Sequence, residues 1–119
     1  MAEQIRQFQP SLVALKDASK VQQLKELIKD VQKQPEIMTG QQGAIAVAEH
    51  PDADAAITGI VGCAGLQPTC AAIEAGKDIC LANKETLIAG APYVLPLANK
   101  HSVHILPAGN DCWGVVPCA

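Results

Sequence analysis

The sequence predicts an α/β protein built on a doubly wound parallel sheet, and three observations carry that prediction. Short apolar stretches alternate with segments of helical spacing along almost the whole chain. The loops between them are brief and marked by Gly and Pro. Apolar residues make up 49% of the chain but aromatics only 3%. A core of Ala, Val, Ile and Leu suits strands that helices bury on both faces.

Ala2–Phe8 reads as the last turns of a helix that Pro10 stops. "SLVALK" (residues 11–16) is a short strand, and Ser19 is placed to cap the helix after it. In that helix Val21, Leu24, Leu27, Ile28 and Val31 recur at helical spacing until Pro35 ends it. "EIMTG" (36–40) is a second strand, followed by an Ala-rich helix over 41–49. A polar turn (50–54) leads into "AAITGIVG" (55–62), a buried strand that runs into glycines. Pro68 suits the first position of the next helix, and Gly76 the left-handed residue just past its end. "DICLA" (78–82) is a strand, and a helix starts at Lys84. Gly90, Pro92 and Pro96 are expected to break or kink it, with Pro92 starting a second piece. "SVHIL" (102–106) is the last strand.

With 119 residues the chain is long enough for one small domain. A net charge of −3 and the lack of a basic cluster argue against a nucleic-acid backbone as partner. Lys16, Lys20, Lys25, Lys29 and Lys33 are interleaved with Glu26 and Asp30, the pattern of a solvated helix face. The cysteines Cys63, Cys70, Cys80, Cys112 and Cys118 are odd in number and show no CxxC spacing. Reduced, buried thiols in an intracellular compartment are expected, not a zinc site or a disulfide framework. "MAEQIRQFQP" has neither a secretory nor a transit-peptide pattern. Residues 55–73 carry no charge, but Gly59, Gly62, Gly65, Gln67 and Pro68 make them strand, loop and helix start. A soluble protein with no membrane partner is expected.

Two stretches could carry chemistry. "TGIVGCAGLQPT" (58–69) puts three glycines between a strand and a helix. Either a ligand approaches the backbone there, or helix and strand pack closely; the spacing alone leaves both open. No GxGxxG fingerprint occurs in the chain. In "ANKET" (82–86), Asn83 can cap the helix and Glu85 suits its dipole. Lys84 opposes that dipole, which an anionic or oxygen-rich ligand would explain, although an exposed lysine there costs little. "HPDAD" (His50, Asp52, Asp54) has metal-ligand types but reads as a solvated loop. His101 and His104 flank a strand with no nucleophile nearby and are given no role.

At "GIVGCAGLQPT", "AAIEAGKDICLANKETLIAG" and "VLPLANKHSVHILPA" the sequence resembles the 1-deoxy-D-xylulose 5-phosphate reductoisomerase family, its plant form in particular. The resemblance implies NADPH-dependent rearrangement and reduction of 1-deoxy-D-xylulose 5-phosphate to 2-C-methyl-D-erythritol 4-phosphate, in the non-mevalonate isoprenoid pathway. It further implies a requirement for Mg²⁺ or Mn²⁺, a homodimer and a plastid location. Carried over residue by residue, it makes Gly59, Ile60, Asn83 and Glu85 NADPH neighbours and Lys84 a substrate contact.

The departures from the family are also specific. The family opens with a strand and a Gly/Thr/Ser-rich turn, and this chain starts in the helix that follows them. Where the family reads Asp-Ser-Glu-His, with two metal-binding carboxylates, this chain has Gly109, Asn110, Asp111 and Cys112. The expectation is an incomplete Rossmann-like sheet lacking its first strand and glycine-rich turn. Residues 1–108 would be a partial NADPH-binding domain and 109–119 a divergent tail. No complete catalytic set and no metal site are expected, and weak NADPH binding at most. The alternative is an inactive truncated product, or a pairing or regulatory module for the full-length enzyme.

Overall fold

The computed structural model describes residues 1–82 and 84–108. They form α1 (Ala2–Phe8), β1 (Leu12–Leu15), α2 (Val21–Leu27), β2 (Glu36–Thr39) and α3 (Gly40–Ala48). Then follow β3 (Ala55–Thr58), α4 (Leu66–Glu74), β4 (Asp78–Leu81), α5 (Glu85–His101) and β5 (Ile105–Pro107). The chain divides into two compact units, Met1–Val47 and Ala48–Ala119. All three strand pairings are parallel, with β1–β2 as one sheet and β3–β4–β5 as the other. The fold is thus α/β and parallel, an incomplete Rossmann-like arrangement.

In the first unit Val13 pairs with Ile37, and Ala14 with Met38. Adjacent residues of a strand point to opposite faces, so these two rows line different sides. Val13 is buried with Ile5 of α1, Leu24 of α2 and Ile28 just beyond it. On the other side a Cβ at Gly43 of α3 would lie 3.0 Å from the Met38 carbonyl carbon and 3.2 Å from the Ala14 Cβ. This sheet is therefore covered on both faces. Gln9, not Pro10 itself, ends α1: it turns left-handed and its N–H donates to the Ile5 carbonyl at 2.9 Å. Arg6 ties α1 to the end of α2 through Asp30 (2.8 Å) and the Leu27 carbonyl. The expected Ser19 cap is reversed: the Asp17 carboxylate accepts from the Ser19 N–H at 2.9 Å.

In the second unit Ala56, Ile79 and Ile105 form one row, and Thr58, Leu81 and Pro107 another, on the same face. Helices α4 and α5 cover it with Ala72, Ile73, Leu87, Val94 and Ala98. Ile57, Cys80 and Leu106 line the opposite face, where Ile57 is 78% and Leu106 50% exposed. The strand expected to be buried over 55–62 is thus shorter and bare on one side. The thiols differ as well: Cys63 is exposed and Cys70 and Cys80 are half-buried. Burial pushes the Cys70 thiol above its ordinary range, aided by Glu74.

Helix α4 ends as the sequence predicts. Gly76 has φ +75°, its N–H donates to the Ile73 carbonyl, and the Lys77 N–H donates to that of Ala72. Helix α5 does not end as predicted, because it runs through Pro92 and Pro96 without a break. Both prolines are exposed, so the carbonyls they leave unbonded, those of Ile88 and Pro92, face water. The buried positions Leu87, Val94 and Ala98 hold the helix to the core. Its end is Ser102, at φ 55°, with the same pair of cap bonds that Gly76 makes.

Candidate functional site

Strands β3, β4 and β5 end together. The Ala82 N–H donates to the Thr58 carbonyl at 3.0 Å, and the Ala108 N–H to the Leu81 carbonyl at 2.8 Å. Residues leaving β3 and β4 therefore emerge side by side, at the carboxyl edge where open α/β sheets take their ligands. Gly59 and Ile60 leave β3 there, while Lys84 and Glu85 lead from β4 into α5; all four are exposed. Asn83 lies outside the described residues, as do Gly109, Asn110, Asp111 and Cys112.

Lys84 is the capping residue of α5, and its carbonyl accepts from the N–H groups of Leu87 (3.0 Å) and Ile88 (2.9 Å). Glu85 stands in the first turn, where the positive end of the helix dipole favours an acid. A cation at Lys84 and a carboxylate at Glu85 thus sit beside each other on the rim.

The three glycines of the 59–65 turn have separate reasons. Gly62 has φ +75°, a conformation that a side chain disfavours. Gly65 is a packing glycine: a Cβ would lie 3.1 Å from the Ile60 carbonyl oxygen and 3.3 Å from Thr86 Oγ1. At Gly59 a Cβ would meet nothing within 4 Å. Packing gives no reason for glycine there.

The amino-terminal ends of the same strands carry a different cluster. Lys77 is 4% exposed and its Nζ donates to the carbonyls of His50 and Ala53. His50 Nδ1 accepts from the Asp52 N–H at 3.3 Å, so "HPDAD" forms a hydrogen-bonded turn. Among the described residues, no three His, Cys, Asp or Glu side chains are placed to hold a metal ion. Nor is any described helix long and apolar enough to cross a membrane.

Sequence reasoning missed Thr58, Thr86 and Lys77. Each is a polar side chain whose burial depends on partners distant in the chain, and no local pattern announces it.

Comparison with known proteins gives this arrangement its relatives. A family model described as 1-deoxy-D-xylulose 5-phosphate reductoisomerase matches residues 1–91. The chloroplastic 1-deoxy-D-xylulose 5-phosphate reductoisomerase of Mentha piperita is 58% identical over 118 residues, 99% of this chain and 25% of that protein. The chloroplastic reductoisomerase of Oryza sativa subsp. japonica is 59% identical over the same shares. The chain spans about a quarter of the length of these two relatives. A solved DOX-P reductoisomerase in complex with NADPH, fosmidomycin and magnesium superposes with a TM-score of 0.81 at 35% identity. That match covers 89% of this chain and 26% of the other. The enzyme from Zymomonas mobilis in complex with NADPH gives a TM-score of 0.82 at 30% identity, over 91% and 28% of the two chains.

Proposed function

The chain belongs to the 1-deoxy-D-xylulose 5-phosphate reductoisomerase family, and from that premise we propose that it forms part of the family's NADPH-binding region. In this reading residues 1–108 are the partial cofactor domain and 109–119 a divergent tail. Gly59, Ile60, Asn83 and Glu85 contact NADPH, and Lys84 contacts the sugar phosphate. The observation that carries it is the junction of Thr58 and Ala82, which sets the exposed Gly59 and Ile60 beside the start of α5. The open space at Gly59 lets a dinucleotide approach the backbone. The Glu85 carboxylate accepts hydrogen bonds from the cofactor's hydroxyl and amide groups. Lys84 holds a cation beside the substrate's oxygens, where negative charge develops as the carbon skeleton rearranges. In the whole family enzyme, NADPH held here would supply the hydride for reduction of the rearranged aldehyde. A solved relative holds magnesium, but the described residues offer no ligand set for it, so no step of this reading passes through a metal. The plant relatives are named chloroplastic, and a plastid location is part of the same proposal.

Calorimetric titration of the 119-residue chain with NADPH tests it. Weak but saturable binding is expected, reduced about tenfold or more by Gly59→Val and by Glu85→Ala. A chain that shows no saturable binding overturns the reading.

A second reading, a module that pairs with a full-length reductoisomerase, is favoured by the outer edge of β3. The Asp54 and Thr58 carbonyls accept from β4, so the N–H and C=O groups of Ala55 and Ile57 point off the sheet. Sedimentation of the chain with a full-length relative checks it, and the absence of a mixed species rejects it.

A further inference from the structure

Two hydroxyls beside this site lack a hydrogen bond. Thr58 Oγ1, at the end of β3, and Thr86 Oγ1, in the first turn of α5, are both buried and unpartnered. Thr86 is only 1% exposed. Thr69, equally buried, shows the contrast, since its hydroxyl donates to the Gly65 carbonyl at 2.7 Å. A buried hydroxyl without a partner is destabilising, and valine would fill the same space without that penalty. The surroundings of Thr86 suggest what its hydroxyl serves. The missing Cβ of Gly65 leaves a spot that Thr86 Oγ1 and the Ile60 carbonyl oxygen both line, at 3.3 and 3.1 Å. Ile60 and Glu85, the neighbours of this spot in the chain, are the residues assigned to the cofactor above.

We infer that Thr86 is a positioning residue whose hydroxyl donates to the Ile60 carbonyl when NADPH binds, locking the glycine turn to the start of α5. A carbonyl oxygen has two lone pairs, so it accepts this bond beside any other it makes. The hydroxyl is unbonded in this structure and bonded in the proposed NADPH complex, and that difference favours the complex. The inference rests on the NADPH reading.

Thr86→Val and Thr86→Ser separate the two. Each variant and the wild-type chain are titrated with NADPH and melted without it. Thr86→Val is expected to melt at or above the wild-type temperature yet to bind NADPH about threefold to tenfold more weakly, the effect of one hydrogen bond. Thr86→Ser keeps the hydroxyl and is expected to stay within about twofold of wild type. Amide exchange over Gly62–Gly65 should slow with NADPH in the wild type but not in Thr86→Val. Unchanged affinity in Thr86→Val, or a lower melting temperature without ligand, overturns the inference and leaves the NADPH reading standing. A wild-type chain that does not bind NADPH overturns both.

Discussion

Lys77 holds His50 by its backbone: the ammonium donates to the His50 carbonyl at 2.5 Å, and to the Ala53 carbonyl at the same distance. The side chain is almost fully buried, so these carbonyls replace its water. Lys77→Met would take the donor from the half-buried Ala53 carbonyl and leave the His50 carbonyl with only the Ala53 N–H, at 3.1 Å. It is expected to destabilise the chain by about 1–3 kcal/mol in chemical denaturation. A loss below about 0.5 kcal/mol would mean that water replaces the ammonium without cost.

At the same end of the sheet, Asp78 Oδ1 accepts from the His104 backbone N–H at 2.9 Å and lies 3.2 Å from His104 Nδ1. The backbone bond above all, with a smaller contribution from the imidazole, holds the Asp78 carboxyl below its ordinary range. A pKa lower in the folded state gives stability that is present at neutral pH and lost as pH falls through that lowered value. Asp78→Asn keeps an acceptor but cannot titrate. The wild type should therefore melt above the variant near neutral pH, with the gap closing below about pH 4. A gap that persists in strong acid contradicts this.

Gly65 and Gly59 should respond in opposite ways to alanine. Gly65→Ala places a methyl against the Ile60 carbonyl and Thr86, and a loss of about 1–3 kcal/mol of stability is expected. Gly59→Ala meets open space and should leave the melting temperature unchanged. If both variants melt alike, the turn is not packed as described.

Features set by neighbours in the chain are legible in the sequence, and features set by packing are not. Gly76 was legible because a left-handed residue after a helix favours glycine, and the sequence supplies one there. The same cap at Ser102 was not legible, since serine carries no such preference. The rim position of Lys84 and Glu85 could be read from the change of pattern between strand and helix, whereas Gly59 and Ile60 fell inside the strand expected over 55–62 and leave it only because β3 stops at Thr58. The burial of Thr86 and Lys77 could not, because it is set by residues that packing brings near. Pro92 and Pro96 misled for a related reason: a proline costs a helix least where the freed carbonyl meets solvent, and only the fold shows which side that is.

That explanation of α5 can be checked directly. Pro92→Ala restores the bond to the Ile88 carbonyl on an exposed face. Allowing for the greater freedom of the unfolded chain, it should stabilise the protein by about 1–2 kcal/mol in thermal or chemical unfolding. A destabilised variant would mean that the helix needs its proline.

The parallel ladders also say something about how the protein comes off the ribosome. Each joins strands about two dozen residues apart: Leu12 with Glu36, Ala55 with Asp78, Ile79 with Ile105. Within each sheet the spatial order is the chain order. A strand emerging during translation therefore finds its neighbour already made, with the crossover helix delivered just before it. Assembly proceeds by accretion, one strand and helix at a time, in the direction of synthesis. A ribosome that pauses soon after Ala55–Thr58 has emerged holds a solitary β3, whereas one that pauses after Ala82 has cleared the exit tunnel holds a closed β3–β4 pair.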